Sequence, residues 1–175
     1  MFPMKPHELW DRPDTRFIIL FLAVLGMTFT IIALRPVNDT VVIPYTAFIA
    51  RVSGVALRLF GEPATVTGCL VSSPRFAVTI YNGCNGLITS LIFMAGVLAF
   101  PARPLAKLIG VAGGLLAIQI INMVRIVSLF YIGIHLPDLF NDAHIFVWQS
   151  LVILAGVALW VIWANRVALR EKNPS

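Results

Sequence analysis

Long apolar runs separated by Arg, Lys and Pro dominate the chain. The first, Phe17 to Leu34, holds eighteen residues without a charge. At about 1.5 Å per residue a helix of that length crosses a hydrocarbon core of roughly 30 Å. Arg35-Pro36 follows it where a secretory leader would carry small residues for cleavage, so the run reads as a retained anchor. A second span is predicted over about 86–100, ending at Pro101-Ala-Arg-Pro104, and a third over about 105–133 with Pro137 beyond it. The third exceeds a bilayer core, so its far end tilts or protrudes. A fourth, about 145–164, is closed by Asn165-Arg166.

The stretch from Val41 to Phe60 is also apolar, but it carries Arg51 and Arg58 seven residues apart on one helical face. Each Arg in mid-span costs roughly 2.5–3.5 kcal/mol on insertion scales. The pattern therefore predicts an amphipathic helix lying along the outer surface, with Pro44 in its first turn and its arginines toward headgroups or water. Beyond it, Phe76 to Tyr81 alternates with the strand period, and Ala64 to Val71 is its expected partner across Ser72-Ser-Pro74. The expected fold is an all-α membrane protein: four transmembrane helices, an external amphipathic helix and a small β-hairpin, with the external segment over about 35–85. Residues 1–175 form a single domain, without an internal repeat, a low-complexity tract or a phosphate-binding glycine loop.

Composition agrees with this plan. Of the 175 residues, 59% are hydrophobic and 12% charged, with a mean hydropathy of +0.90. An average soluble domain carries roughly 25% charged residues, so a secreted globule, a disordered tail and a nucleic-acid module are excluded. The bilayer is the first partner. The net charge of +5 resides in residues that flank the spans: Lys5, Arg12, Arg16, Arg103, Lys107, Arg166, Arg170 and Lys172. Positive-inside logic then places both termini in the cytoplasm, and 35–83 and the loop from His135 to His144 outside. A fifth crossing would reverse that arrangement.

The reactive residues converge on the outer side of this plan. Cys84 lies in Asn82-Gly-Cys-Asn-Gly86, where two Asn-Gly pairs make turns on either side of the thiol. A helix beginning at Asn85-Gly86 points its positive dipole end at the sulfur, which favours thiolate and offers an N–H to an oxyanion. Arg125 comes about twenty residues along the third span, with Asn122 one turn earlier and Gln119 below, and His144 opens the fourth. Cys, Arg and His at similar depth supply a nucleophile, a cation and a proton carrier, the components of thiol acyl transfer.

Each residue also has a plainer explanation. Cys84 could pack as a buried hydrophobe. It could also pair with Cys69, closing a loop of fifteen residues that adds roughly 3 kcal/mol. Arg125 could snorkel to the interface, His144 could cap a helix with Asp142, and Asn122 could bond a neighbouring helix. His135, Asp138 and Asp142 match no zinc spacing, so neither a metal nor another cofactor is expected. Two other functional classes stay open: a non-catalytic assembly factor or transporter subunit, and a thiol oxidoreductase using Cys69 and Cys84, which lack Cys-x-x-Cys spacing.

Specific residues make the chain similar to the exosortase and archaeosortase family of membrane transpeptidases over about Phe17 to Asn165. Cys84-Asn-Gly-Leu87 resembles that family's Cys-[Ser/Asn]-Gly-[Ile/Leu] motif, and Asn122-Met-Val-Arg125 resembles its Asn-x-x-Arg motif. His144 corresponds to the His before the final span, and Pro44-Tyr-Thr46 to the segment upstream of the nucleophile. Tyr81-Asn-Gly83 before the Cys departs from the small residues often present there. The compact length is most like the exosortase H branch, which is paired with tails carrying Ile-Pro-Thr-Leu. The resemblance implies a cysteine transpeptidase of the bacterial inner membrane, with its site on the periplasmic side. Its partners would be membrane-anchored proteins ending in a sorting tail of short motif, hydrophobic helix and basic cluster. It implies Cys84 as nucleophile, Arg125 as oxyanion or substrate support, His144 as acid and base, and Asn122 holding Arg125, with Asn85 and Gly86 supporting.

Overall fold

The computed structural model describes residues 12–172, so Lys5 lies outside the described residues. The chain is mostly helical. Helix α1 is Pro13–Ala33. A short helical turn, Arg35–Val37, and a π-helical turn, Asn38–Val42, lead into α2, Ile43–Leu59. Strands β1 (Thr65–Thr67), β2 (Leu70–Ser72) and β3 (Ala77–Thr79) follow, then α3 (Leu87–Ala99) and α4 (Pro104–His135). A second π-helical turn, Ala143–Trp148, opens α5, Gln149–Lys172.

Helices α1, α3, α4 and α5 pack as a bundle around Phe93, Val97 and Ile118, with Trp160 and Trp163 closing the side. The Trp163 indole N–H donates to the Ala106 carbonyl at 3.2 Å, tying the start of α4 to α5. Gly96 gives Trp160 its place, since a Cβ there would lie 2.8 Å from the indole nitrogen. Helix α4 has 32 residues, about 48 Å at 1.5 Å per residue. Its first part serves the bundle. Its later part, Ile126 to Ile134, belongs to a second core with Ile49, Ala50 and Leu57 of α2, Val71 of β2, and Ile80.

Four helices are long and apolar enough to cross a membrane: Asp14–Ala33, Arg35–Leu59, Pro104–His135 and Pro137–Val167. The set differs from the sequence expectation at one member. The second expected span is a helix of only 13 residues, about 20 Å long, whereas the segment containing α2 has the requisite length. Packing separates the two roles. Tyr45 of α2 lies beside Asn85 and Phe60 beside Tyr131, so α2 runs in the same sense as the later part of α4, away from the bundle. It covers the second core with Thr46, Ile49, Ala50, Ser53 and Leu57, and leaves Arg51 exposed. Arg58 is engaged differently from the expected headgroup contact: its Nη1 donates to the Ala64 carbonyl at 2.9 Å, joining α2 to the sheet.

The expected hairpin is present as β2 and β3, but Ala64 to Val71 is not one strand. It folds at Gly68, whose φ of +60° suits glycine, and β1 returns beside β2 to make a three-stranded antiparallel meander. Thr65 faces Ser72 and Leu70 faces Thr79. Glu62, buried at the start of this unit, pairs with Arg75 in the β2–β3 connection and anchors it to the end of α2.

Candidate active site

The loop carrying Cys84 is built by the residues around it. The Cys84 N–H donates to the Tyr81 carbonyl at 2.8 Å, forming a turn. Asn85 is fully buried, and its Oδ1 accepts the Leu87 N–H at 3.0 Å, an Asx turn that leads into α3. Its amide Nδ2 donates to Thr46 Oγ1 at 2.8 Å, and its carbonyl accepts from the Tyr45 hydroxyl at 3.3 Å. Thr46 in turn donates to the Val42 carbonyl, so its one hydroxyl proton is already used. The Pro44-Tyr-Thr46 segment thus clamps the residue that follows the cysteine. Gly86 has φ +75°, and a Cβ there would meet the amides of Gln119 and Asn122 at 2.9–3.2 Å. A side chain at 86 would be strained both by its backbone and by α4.

From three separate segments, the groups on which the sequence reading converged come together. Cys84 Sγ lies 2.8 Å from His144 Nε2. Arg125 Nη2 lies 4.0 Å from the same sulfur. Arg125 is buried at 2% exposure, and its Nη1 is 3.5 Å from the Gly83 carbonyl. The imidazole stacks on Phe140, centroids 6.0 Å apart, and Phe140 packs against Phe76 of the meander. Phe76 meets Phe130 of α4 edge-on at 5.4 Å. A continuous aromatic stack therefore runs from the second core to the histidine ring.

The imidazole at hydrogen-bond distance is the group placed to take the thiol proton.

Two features depart from expectation. Asn122 is fully buried against Gly86, but neither of its amide atoms has a hydrogen-bond partner, so it does not hold Arg125. Gln149, which periodicity did not single out, does contact Arg125: its Oε1 accepts from Nη2 at 3.2 Å. Its signal was a lone amide in the apolar run after His144. Gln119 Nε2 donates to Ser90 Oγ at 3.3 Å, a link between α4 and α3 below the site. Cys69 and Cys84 are both free; Cys69 Sγ faces the Ile43 carbonyl at 4.0 Å. Among the described residues, no group of three or more His, Cys, Asp or Glu is arranged to hold a metal.

A family profile described as transmembrane exosortase (Exosortase_EpsH) matches residues 9–149, well over half of the chain and inclusive of every residue of this cluster. No curated protein and no solved structure matches the chain.

Proposed function

This chain belongs to the transmembrane exosortase family, and we propose that it is a membrane-embedded cysteine transpeptidase with Cys84 as nucleophile. The observation that carries this reading is the 2.8 Å approach of Cys84 Sγ to His144 Nε2 with the Arg125 guanidinium beside it. A thiol, a base in hydrogen-bond reach and a buried cation are what thioester formation requires.

His144 Nε2 takes the Sγ proton as sulfur attacks the scissile carbonyl carbon. The electron pair of the C=O moves to oxygen, and Arg125 Nη2 faces that developing charge. On collapse the C–N bond breaks, His144 returns the proton to the departing nitrogen, and the acyl group remains on Cys84 as a thioester. An acceptor nucleophile then loses its proton to His144, attacks the thioester carbonyl and releases Cys84. Thiol and imidazole titrate as a pair in this scheme.

The substrates are membrane-anchored exported proteins with a C-terminal sorting tail, and Ile-Pro-Thr-Leu is the motif proposed. Both termini of the enzyme are cytoplasmic, with the site toward the outer face of the bacterial inner membrane. With the base of α3 at the inner interface, its 13 residues rise about 20 Å, so the thiol lies below the outer surface of a core roughly 30 Å thick. A substrate anchored in the same bilayer presents its cleavage motif at that fixed depth, which raises its effective concentration.

The test is a reporter protein ending in the proposed tail, expressed with this chain. Cys84→Ala leaves uncut precursor in the membrane, whereas Cys69→Ala processes it normally. A covalent adduct between Cys84 and a motif peptide is expected by mass spectrometry. Normal processing by Cys84→Ala or Cys84→Ser would instead support a non-catalytic assembly role and overturn this mechanism.

A further inference from the structure

We propose that Gln149 is a positioning residue that aims the Arg125 guanidinium at the Cys84 sulfur while leaving its positive charge unneutralised. The proposal rests on the cysteine-based reading above. Two contacts fix the plane of the guanidinium fork: Nη1 faces the Gly83 carbonyl at 3.5 Å, and Nη2 donates to Gln149 Oε1 at 3.2 Å. Nη2 carries two hydrogens. With one directed to Gln149, the other is directed toward Sγ, 4.0 Å away.

The acceptor is a neutral amide, which is the informative point. A buried arginine ordinarily finds a carboxylate, because an unpaired charge in a low dielectric is costly. Among the described residues the only side-chain ion pair is Arg75 with Glu62, so Arg125 has no carboxylate partner there. Ionisable groups facing the sulfur are His144 from the π-helical turn and Arg125 from α4; α2 contributes Tyr45, which donates to the Asn85 carbonyl. Arg125 therefore keeps its full field for the sulfur and for charge developing beside it. A carboxylate at 149 would hold the fork equally well and cancel that field.

The π-helical turn Ala143–Trp148 explains how one segment supplies both contacts. Its i→i+5 spacing adds a residue to the turn, and His144 and Gln149 are five apart. In a regular α-helix of 3.6 residues per turn, positions three or four apart share a face. The added residue brings the ring and the amide to the same cluster.

The experiment uses the full chain in nanodiscs, in a Cys69→Ala background so that Cys84 is the sole thiol. Iodoacetamide alkylation of Cys84 is followed against pH, alongside reporter processing. Gln149→Glu is expected to move the alkylation midpoint about one pH unit to the alkaline side, because it removes the favourable field of an opposite charge on the thiolate. It should also lower kcat at least about tenfold with little change in KM, since the lost interaction matures in the transition state. Gln149→Leu, an apolar residue in an apolar helix, lowers kcat by losing the aim of Arg125, with a smaller alkaline shift. If Arg125 merely needs an acceptor, Gln149→Glu will match or exceed the native protein in processing, and the proposal falls. Lost processing with an unmoved alkylation profile in both variants assigns Gln149 to structure alone and equally overturns it. Alkylation needs no substrate, so a failed reporter reaction in the native protein would count against the transpeptidase reading, while the alkylation result still judges Gln149.

Discussion

Asn85 concentrates several roles in one buried side chain. It makes the turn into α3, ties the Cys84 loop to Thr46 and receives the Tyr45 hydroxyl on its backbone carbonyl. Loss of each buried side-chain hydrogen bond, to the Leu87 N–H and to Thr46, costs about 1 kcal/mol. Asn85→Ala should therefore lower thermal stability, by thermal melting followed by circular dichroism, and reporter processing together. Glu62 acts at a distance from the chemistry. The Arg75 hydrogen bond holds its carboxyl below the ordinary 4.5, helped by Ser73 and opposed by desolvation. A carboxyl lowered on folding adds stability above its unfolded value, and that stability is withdrawn as pH falls through the folded value. Melting temperature should consequently fall on acidification below about pH 4.5, and Glu62→Gln should flatten that acid limb. Of these residues the sequence made Cys84, Arg125 and His144 legible, because charges and reactive groups are rare in apolar runs. It could not reveal Gln149 or the clamp at Asn85, since an amide's partners come from distant segments.

At the level of elements, the second π-helical turn and the aromatic stack decide where the imidazole points. His144 gets its orientation from stacking on Phe140, which is backed by Phe76 and Phe130. Phe140→Ala should reduce processing at least about tenfold while leaving the bundle folded, because the proposed mechanism needs the imidazole held on the sulfur and a displacement of about 1 Å loses productive geometry. Phe140→Tyr retains the ring and should preserve activity. Apolar periodicity located these helices to within a few residues, but it carries no sign of an extra residue in a turn. The meander shows the same limit: alternation identified strand-forming residues, and only the fold at Gly68 divided Ala64–Val71 into two strands.

Across the whole molecule, the division into a bundle and a second core governs topology. Helix α2 has the length to span, yet its buried face covers the meander and the later part of α4. On the proposed topology Cys69 is external. In the Cys84→Ala variant, a membrane-impermeant maleimide should label Cys69 from the outer side of intact spheroplasts. Because Cys69 and Asn85 both lie beside the start of α2, labelling only after the membrane is opened would put that whole side, site included, in the cytoplasm and overturn the topology.

The apolar runs and their flanking cations by themselves determined that this chain is helical and belongs in a bilayer, because burying charge in hydrocarbon is costly enough to be written into composition. They also marked the thiol, guanidinium and imidazole. Tertiary structure alone decided that guanidinium and imidazole lie within 4.0 Å of the sulfur, that Arg125 bonds Gln149 and not Asn122, and that a helix long enough to span covers the second core. Contacts of that kind depend on how distant segments pack, and local periodicity contains no term for the distance between them.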